Sequence, residues 1–133
     1  EDAVVKAETE RIAQRAAVGI PPHYPLGGGP VAGKDKRGGK ASAETRFGKW
    51  GGGGIFATDE RYAIVEKIAA YGDEIGHSVL DIAIGWLAAQ PYVSSVIAGV
   101  TKPEQIRQNV AAAGWVPDAD QISAIGQIAQ EIT

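Results

Sequence analysis

Val93-Ser94-Ser95-Val96-Ile97-Ala98-Gly99-Val100-Thr101-Lys102-Pro103-Glu104-Gln105-Ile106-Arg107-Gln108-Asn109 is the stretch whose reading decides the fold. Val96 to Ala98 is a short apolar run and reads as a buried strand that Gly99 ends. Thr101 and Glu104 stand three apart, the spacing of a capping box at a helix start, and Pro103 suits a first turn that does not need its N–H. The expected sequence of events is strand, tight turn, helix N-terminus. Such a helix start presents unpaired N–H groups and partial positive charge, a setting that can hold a phosphate. Spacing alone leaves a plainer alternative open, a capped helix in an ordinary βα unit.

The bulk composition sets the class. The 133 residues are enough for one domain with a core. Hydrophobic residues make up 44% and charged residues 22%, as in soluble globular chains. The net charge of −3 argues against a non-specific nucleic-acid binder, which would be basic. No apolar run approaches the roughly 20 residues of a membrane span, and the charged start carries no signal-peptide pattern. A cytoplasmic protein, with neither nucleic acid nor membrane as partner, is the expectation. Cysteine is absent, which removes disulfides and thiolate chemistry, and no close His/Asp/Glu cluster suggests a metal. Methionine is absent too, and the chain opens at Glu1, which suggests a processed or partial chain.

Working outward, residues 2–17 read as a helix with Val5, Ile12 and Ala16 on one face. Val18-Gly19-Ile20 reads as a short strand reaching toward Tyr24, against the resistance of Pro21 and Pro22. Residues 23–54 have no periodicity, and 27–57 reads as one long Gly-rich loop. Lys34, Lys36, Arg37, Lys40, Arg46 and Lys49 make it basic within an acidic chain. Loops of this length are functional or disordered; the functional version is a lid over an anionic ligand. Thr58-Asp59 opens a helix with a stripe of Ile64, Val65, Ile68 and Ala69, and Gly76 stops it. Ser78 and Asp81 cap the next helix, about 79–89, whose Val79, Leu80, Ile82, Ile84, Trp86 and Leu87 predict burial nearly all round. The strand-turn-helix of 93–113 follows, and Asp118 and Gln121 cap a last helix carrying Ile122, Ile125, Ile128 and Ile132. Strands alternating with helices indicate βαβ units and a parallel sheet, an α/β class.

These motifs, in this order, resemble the C-terminal portion of the aldo-keto reductases. The family's last barrel strand reads S-S-V-I-x-G and its next helix P-E-Q-hydrophobic-x-x-N, matched by Ser94-Ser95-Val96-Ile97, Gly99, Pro103-Glu104-Gln105-Ile106 and Asn109. Tyr24-Pro25-Leu26-Gly27-Gly28-Gly29 with Gly33-Lys34 resembles the segment after the seventh strand, and Arg46 stands where the family has an S-R pair. The likeness extends over about residues 20–128 and includes Thr58-Asp59-Glu60-Arg61 and Ile82-Ala83-Ile84-Gly85-Trp86-Leu87.

The resemblance implies a (β/α)8 TIM barrel of about 250 residues, of which this chain would form the C-terminal part: the last two strands with their helices, one incomplete domain over 1–133. It implies NADP(H) as cofactor, lined by Tyr24, Pro25, Leu26, Gly27, Lys34, Arg46, Gly99, Thr101, Gln105, Gln108 and Asn109. Thr101 replaces a usual Ser or Arg and Gln108 a usual Glu, which leaves NADP versus NAD open, although a hydroxyl and an amide still hydrogen-bond. His23 occupies the place of an aromatic that stacks on the nicotinamide, with Tyr24 the alternative. The implied reaction is reduction of a small-molecule carbonyl to an alcohol. Its Tyr-Lys-His-Asp tetrad belongs to the first half of the barrel, and Tyr24, Tyr62, Tyr71 and Tyr92 do not match it, so no catalytic residue is assigned and the chain alone is expected to be inactive. The alternatives are a non-catalytic nucleotide-binding or regulatory subunit on the same barrel, and a structural or interaction fragment. In either case the exposed edges would need the N-terminal half of the barrel or another chain.

Overall fold

The structure, a computed structural model, describes residues 2–22 and 58–130. Its elements are helices α1 (Asp2–Ala16), α2 (Asp59–Ile75), α3 (Val79–Ala88), α4 (Pro103–Ala113) and α5 (Ala119–Gln130).

Local chemistry explains most boundaries. The Thr58 hydroxyl accepts from Arg61 N at 3.4 Å to open α2, and Gly76, at φ 76°, closes it in the left-handed region. His77 N then donates to Gly72 O at 2.9 Å, as expected where a glycine turns the chain out of a helix. The capping box expected at Ser78 is present: Asp81 N donates to Ser78 Oγ at 3.1 Å, and Ser78 N to Asp81 Oδ2 at 2.9 Å. Asp118 and Gln121 cap α5 in the same reciprocal way, at 2.8 and 2.9 Å. Each such cap is worth about 1 kcal/mol.

The core is centred on α3. Ile82 and Ile84 are 1% and 3% exposed, and Gly85 is buried. The helix packs most extensively on α4, and also touches α2 and α5. Ile64 of α2, Ala112 of α4 and Ile125 of α5 complete the buried set around it. Trp86 lies half-buried, its indole N–H donating to Ile122 O at 3.0 Å, so its polar edge is satisfied while its ring packs.

The expected pair of strands is present only as an isolated parallel bridge, Ile20 to Val93, among the described residues. Ile20 N donates to Tyr92 O at 2.7 Å, Ser94 N to Ile20 O at 3.1 Å, and Ile97 N to Pro22 O at 3.0 Å. The parallel direction is as expected, but the register is interrupted. Two residues advance from Ile20 to Pro22, while three advance from Ser94 to Ile97. Pro22 has no N–H to return to Ser94, so no bond holds the second chain in step there, and one extra residue enters, as in a bulge. A one-residue slip exchanges the two faces. Val96 is half-buried, whereas Ile97, expected inside, is 54% exposed.

Helix α1 also departs from the sequence reading. Ile12, on the face expected to be inward, is 53% exposed, and the buried residue is its neighbour Ala13. Ala17 ends α1 at φ 53°, a left-handed conformation that glycine adopts without penalty. At the other crowded turn, a Cβ added to Gly72 would stand 2.4 Å from the backbone oxygen of His77.

Two substitutions test these backbone constraints. Gly72→Ala should gain roughly 1 kcal/mol of helix propensity and still lose about 1–2 kcal/mol net, because the clash is with backbone that cannot yield. Ala17→Gly should raise stability by about 0.5–1 kcal/mol by relieving the left-handed strain. Chemical denaturation of both variants checks the two signs.

Candidate functional site

The paired segments run the same way, so Gly99 and Thr101 emerge from their downstream end and lead directly into α4. The expected Thr101–Glu104 capping box does not form. Lys102 is the N-cap, and Gln105 reaches back instead, its Oε1 accepting from Thr101 N at 2.7 Å and Lys102 N at 3.1 Å. The Thr101 hydroxyl donates to the same oxygen at 3.2 Å. Gln105, at the third helical position, meets two successive N–H groups, whereas Glu104, a side chain of the same length one residue earlier, faces Arg107. Glu104 pairs with Arg107 at 3.0 Å on the surface, a contact worth about 0–1 kcal/mol.

Among the residues expected to line a cofactor, Gly99, Thr101 and Gln108 are exposed, and Gln105 and Asn109 are half-buried. Thr101 and Gln105 are brought into contact. Gln105 and Asn109 are one turn apart, on the side of α4 that carries the fully buried Ala112. Tyr24, Pro25, Leu26, Gly27, Lys34 and Arg46, with His23, lie outside the described residues. The first turn of α4 carries Glu104, paired with Arg107, and the N-cap residue is Lys102, a cation at the end where the helix dipole is already positive.

Sequence reasoning missed two contacts nearby. The Tyr92 hydroxyl is held by the Glu10 carboxylate of α1; burial first, then that hydrogen bond and charge, push its pKa up to about 12. The imidazole of His77 lies on Trp115 with ring centres 4.4 Å apart. An open groove of about 330 Å³, lined by Ala13, Gln14, Gly19, Tyr92 and Ser94 among others, sits at the upstream ends of the paired segments, away from Gly99 and Thr101. Among the described residues, no group of three His, Asp or Glu side chains converges as a metal site. No helix among them is long and apolar enough to cross a membrane.

The family model for the aldo/keto reductase family matches residues 2–130. The chain belongs to the aldo/keto reductase family. A probable voltage-gated potassium channel subunit beta of Arabidopsis thaliana is 31% identical over 117 residues, 84% of this chain and 35% of the relative. Its counterpart in Oryza sativa subsp. japonica is 31% identical over 118 residues, 83% of this chain and 36% of the relative. A putative subunit of the same kind in Schizosaccharomyces pombe is 38% identical over 52 residues, covering 39% of this chain and 15% of that protein. The chain thus spans about a third of the length of the first two relatives. Membership implies the (β/α)8 barrel. The described residues contribute mostly helices to that architecture, with one parallel bridge.

The Tyr92 contact has a measurable signature. Because its hydroxyl ionises near pH 12 when folded and near 10 when unfolded, the neutral form is favoured by folding. Its contribution is complete below pH 10 and disappears as the pH rises toward 12. Stability of the wild type should fall across that window, and Tyr92→Phe should flatten the fall while lowering stability at pH 7. An identical slope in both proteins, followed by denaturant titration, would remove Tyr92 as the cause.

Proposed function

We propose that this chain supplies the NADP(H)-binding, C-terminal part of an aldo/keto reductase barrel that reduces a small-molecule carbonyl to an alcohol in the cytoplasm. The observation that carries the reading is the order of events at one end of the parallel pair. Paired backbone leads through Gly99 into a helix whose N-terminal amides at Thr101 and Lys102 are capped by Gln105, in a chain that belongs to this family. Active sites of such barrels lie at the C-terminal ends of the strands, which is where Gly99 and Thr101 emerge. In this reading Gly99, Thr101, Gln105, Gln108 and Asn109 line the adenosine side. Tyr24, Pro25, Leu26, Gly27, Lys34 and Arg46 bind the rest of the cofactor. When bound, the cofactor supplies hydride to the carbonyl carbon.

The proton comes from the family's tyrosine, which has no counterpart in residues 1–133. The remaining strands of the barrel, in a longer polypeptide or a second chain, provide it. The apolar side chains at Ile97, Val100, Ile106, Val110 and Val116, which are 37–80% exposed, form a surface for those elements to cover. A second reading, a nucleotide-binding regulatory subunit of a potassium channel, is favoured by the names of the matched relatives. Cofactor binding without turnover of any aldehyde by the full-length protein would select it.

Titration of NADPH fluorescence with the full-length protein tests the binding reading. Arg46→Ala should raise the dissociation constant about tenfold or more, the size of one charge-assisted contact. Asn109→Leu should weaken binding with little change in the melting temperature. Unchanged affinity in Arg46→Ala would remove the phosphate role of that residue. A parallel loss of binding and stability in Asn109→Leu would make Asn109 structural.

A further inference from the structure

Helix α4 is held at both ends by contacts of different kinds. At its start the Gln105 amide oxygen takes the N–H groups of Thr101 and Lys102. At its end the chain turns through Gly114, whose N–H meets Ala111 O at 3.0 Å, and Trp115, whose N–H meets Ala112 O at 3.2 Å. The Trp115 side chain then lies against α3. A Cβ at Gly85 would stand 2.7 Å from Trp115 Cε3 and 2.9 Å from its backbone oxygen. The seat therefore exists only because position 85 has no side chain. His77, from the turn between α2 and α3, covers the ring at 4.4 Å. Its own place is fixed by the bond from its N–H to Gly72 O, and its Nδ1 lies 3.9 Å from Asp81 Oδ2.

The opposite side of α4 gives no comparable hold among the described residues, since Ile106 and Val110 are 52% and 67% exposed. The helix is thus positioned from one side, by α3 and by the Trp115 seat at its far end. Because a helix transmits displacement along its length as a rigid element, a shift of Trp115 moves Asn109, Gln105 and the capped Thr101–Lys102 turn together.

We propose that Trp115, seated on Gly85 and His77, is a positioning residue for the dinucleotide: it sets where α4 presents Thr101, Gln105 and Asn109, without touching the ligand. The proposal rests on the NADP(H) reading above for its ligand. The geometry of the seat stands independently of it.

The test uses the full-length protein, with NADPH and NADH affinities read from cofactor fluorescence and amide hydrogen exchange read at Thr101 and Lys102 relative to the amides of α3. Trp115→Ala should raise the NADPH dissociation constant about five- to tenfold and that of NADH less, and should speed exchange at Thr101 and Lys102. Trp115→Phe should restore most of both. Gly85→Ala, which keeps every ring but obstructs the seat, should move both readouts in the same direction and serves if Trp115→Ala does not fold. A folded Trp115→Ala or Gly85→Ala protein with unchanged exchange at Thr101 and Lys102 and unchanged affinity overturns the proposal. If the wild type binds neither dinucleotide, the NADP(H) reading and the ligand role of Trp115 both fall. The exchange data then still decide whether Trp115 holds α4.

Discussion

A ten-residue helix with apolar side chains on nearly every side needs cover, and α2, α4 and α5 pack against it. Helix α3 buries Ile82 and Ile84 almost completely, each worth about 1.5–3 kcal/mol relative to exposure. With α2, α4 and α5 all in contact with it, α3 fixes the mutual positions of the other three. Close approach is made possible by removing side chains at chosen points. Gly85 admits Trp115, and Gly72 admits the turn at His77. A glycine inside a helix costs roughly 1 kcal/mol in propensity, and here that cost is offset by packing that no larger residue permits.

The second organising contact is the parallel pairing around Ile20 and Val93. It brings the end of α1 beside the segment that leads to α4, with Gly19 so close to Ser94 that an added Cβ would stand 2.3 Å from the serine Cβ. Tyr92 and Glu10 tie the same two segments through their side chains. The pairing sets the direction of travel: whatever follows Ile97 leaves at the same end as whatever follows Pro22. The upstream groove is left at the other end.

Much of the helical frame was legible in the sequence because its signals are local. Gly76 as a stop and the reciprocal caps at Ser78/Asp81 and Asp118/Gln121 each depend on a few adjacent residues; the all-round burial expected of α3 holds for Ile82 and Ile84, while Val79, Leu80, Trp86 and Leu87 are half-buried. The start of α4 was placed correctly by Pro103, but its cap was assigned to Thr101 and Glu104. Both fit the pattern, and the Lys102 N-cap, which puts Gln105 rather than Glu104 at the third helical position, decides against them. The burial of Ile97 was misjudged because a missing N–H at Pro22, far away in sequence, shifts the register of Val93–Ile97. The Trp115 seat had one local hint, a glycine in the middle of an apolar helix, and nothing that named its partner. At the candidate site, the α4 residues could be located, while Tyr24, Pro25, Leu26, Gly27, Lys34 and Arg46 lie outside the described residues.

The span of chain between Ile20 and Val93 bears on how the molecule reaches this state. Helix α3 packs on its neighbours in sequence, α2 and α4, while α5 returns to touch α2 and α3. The Ile20–Val93 bridge instead closes a loop that contains two of those helices and the whole Gly-rich segment. Contacts between distant positions carry the loop-closure entropy before they return any stabilisation. The α2–α3 and α3–α4 contacts close shorter stretches of chain and carry less of that cost. The pairing of α1's end with Val93 carries the larger closure cost for a single bridge.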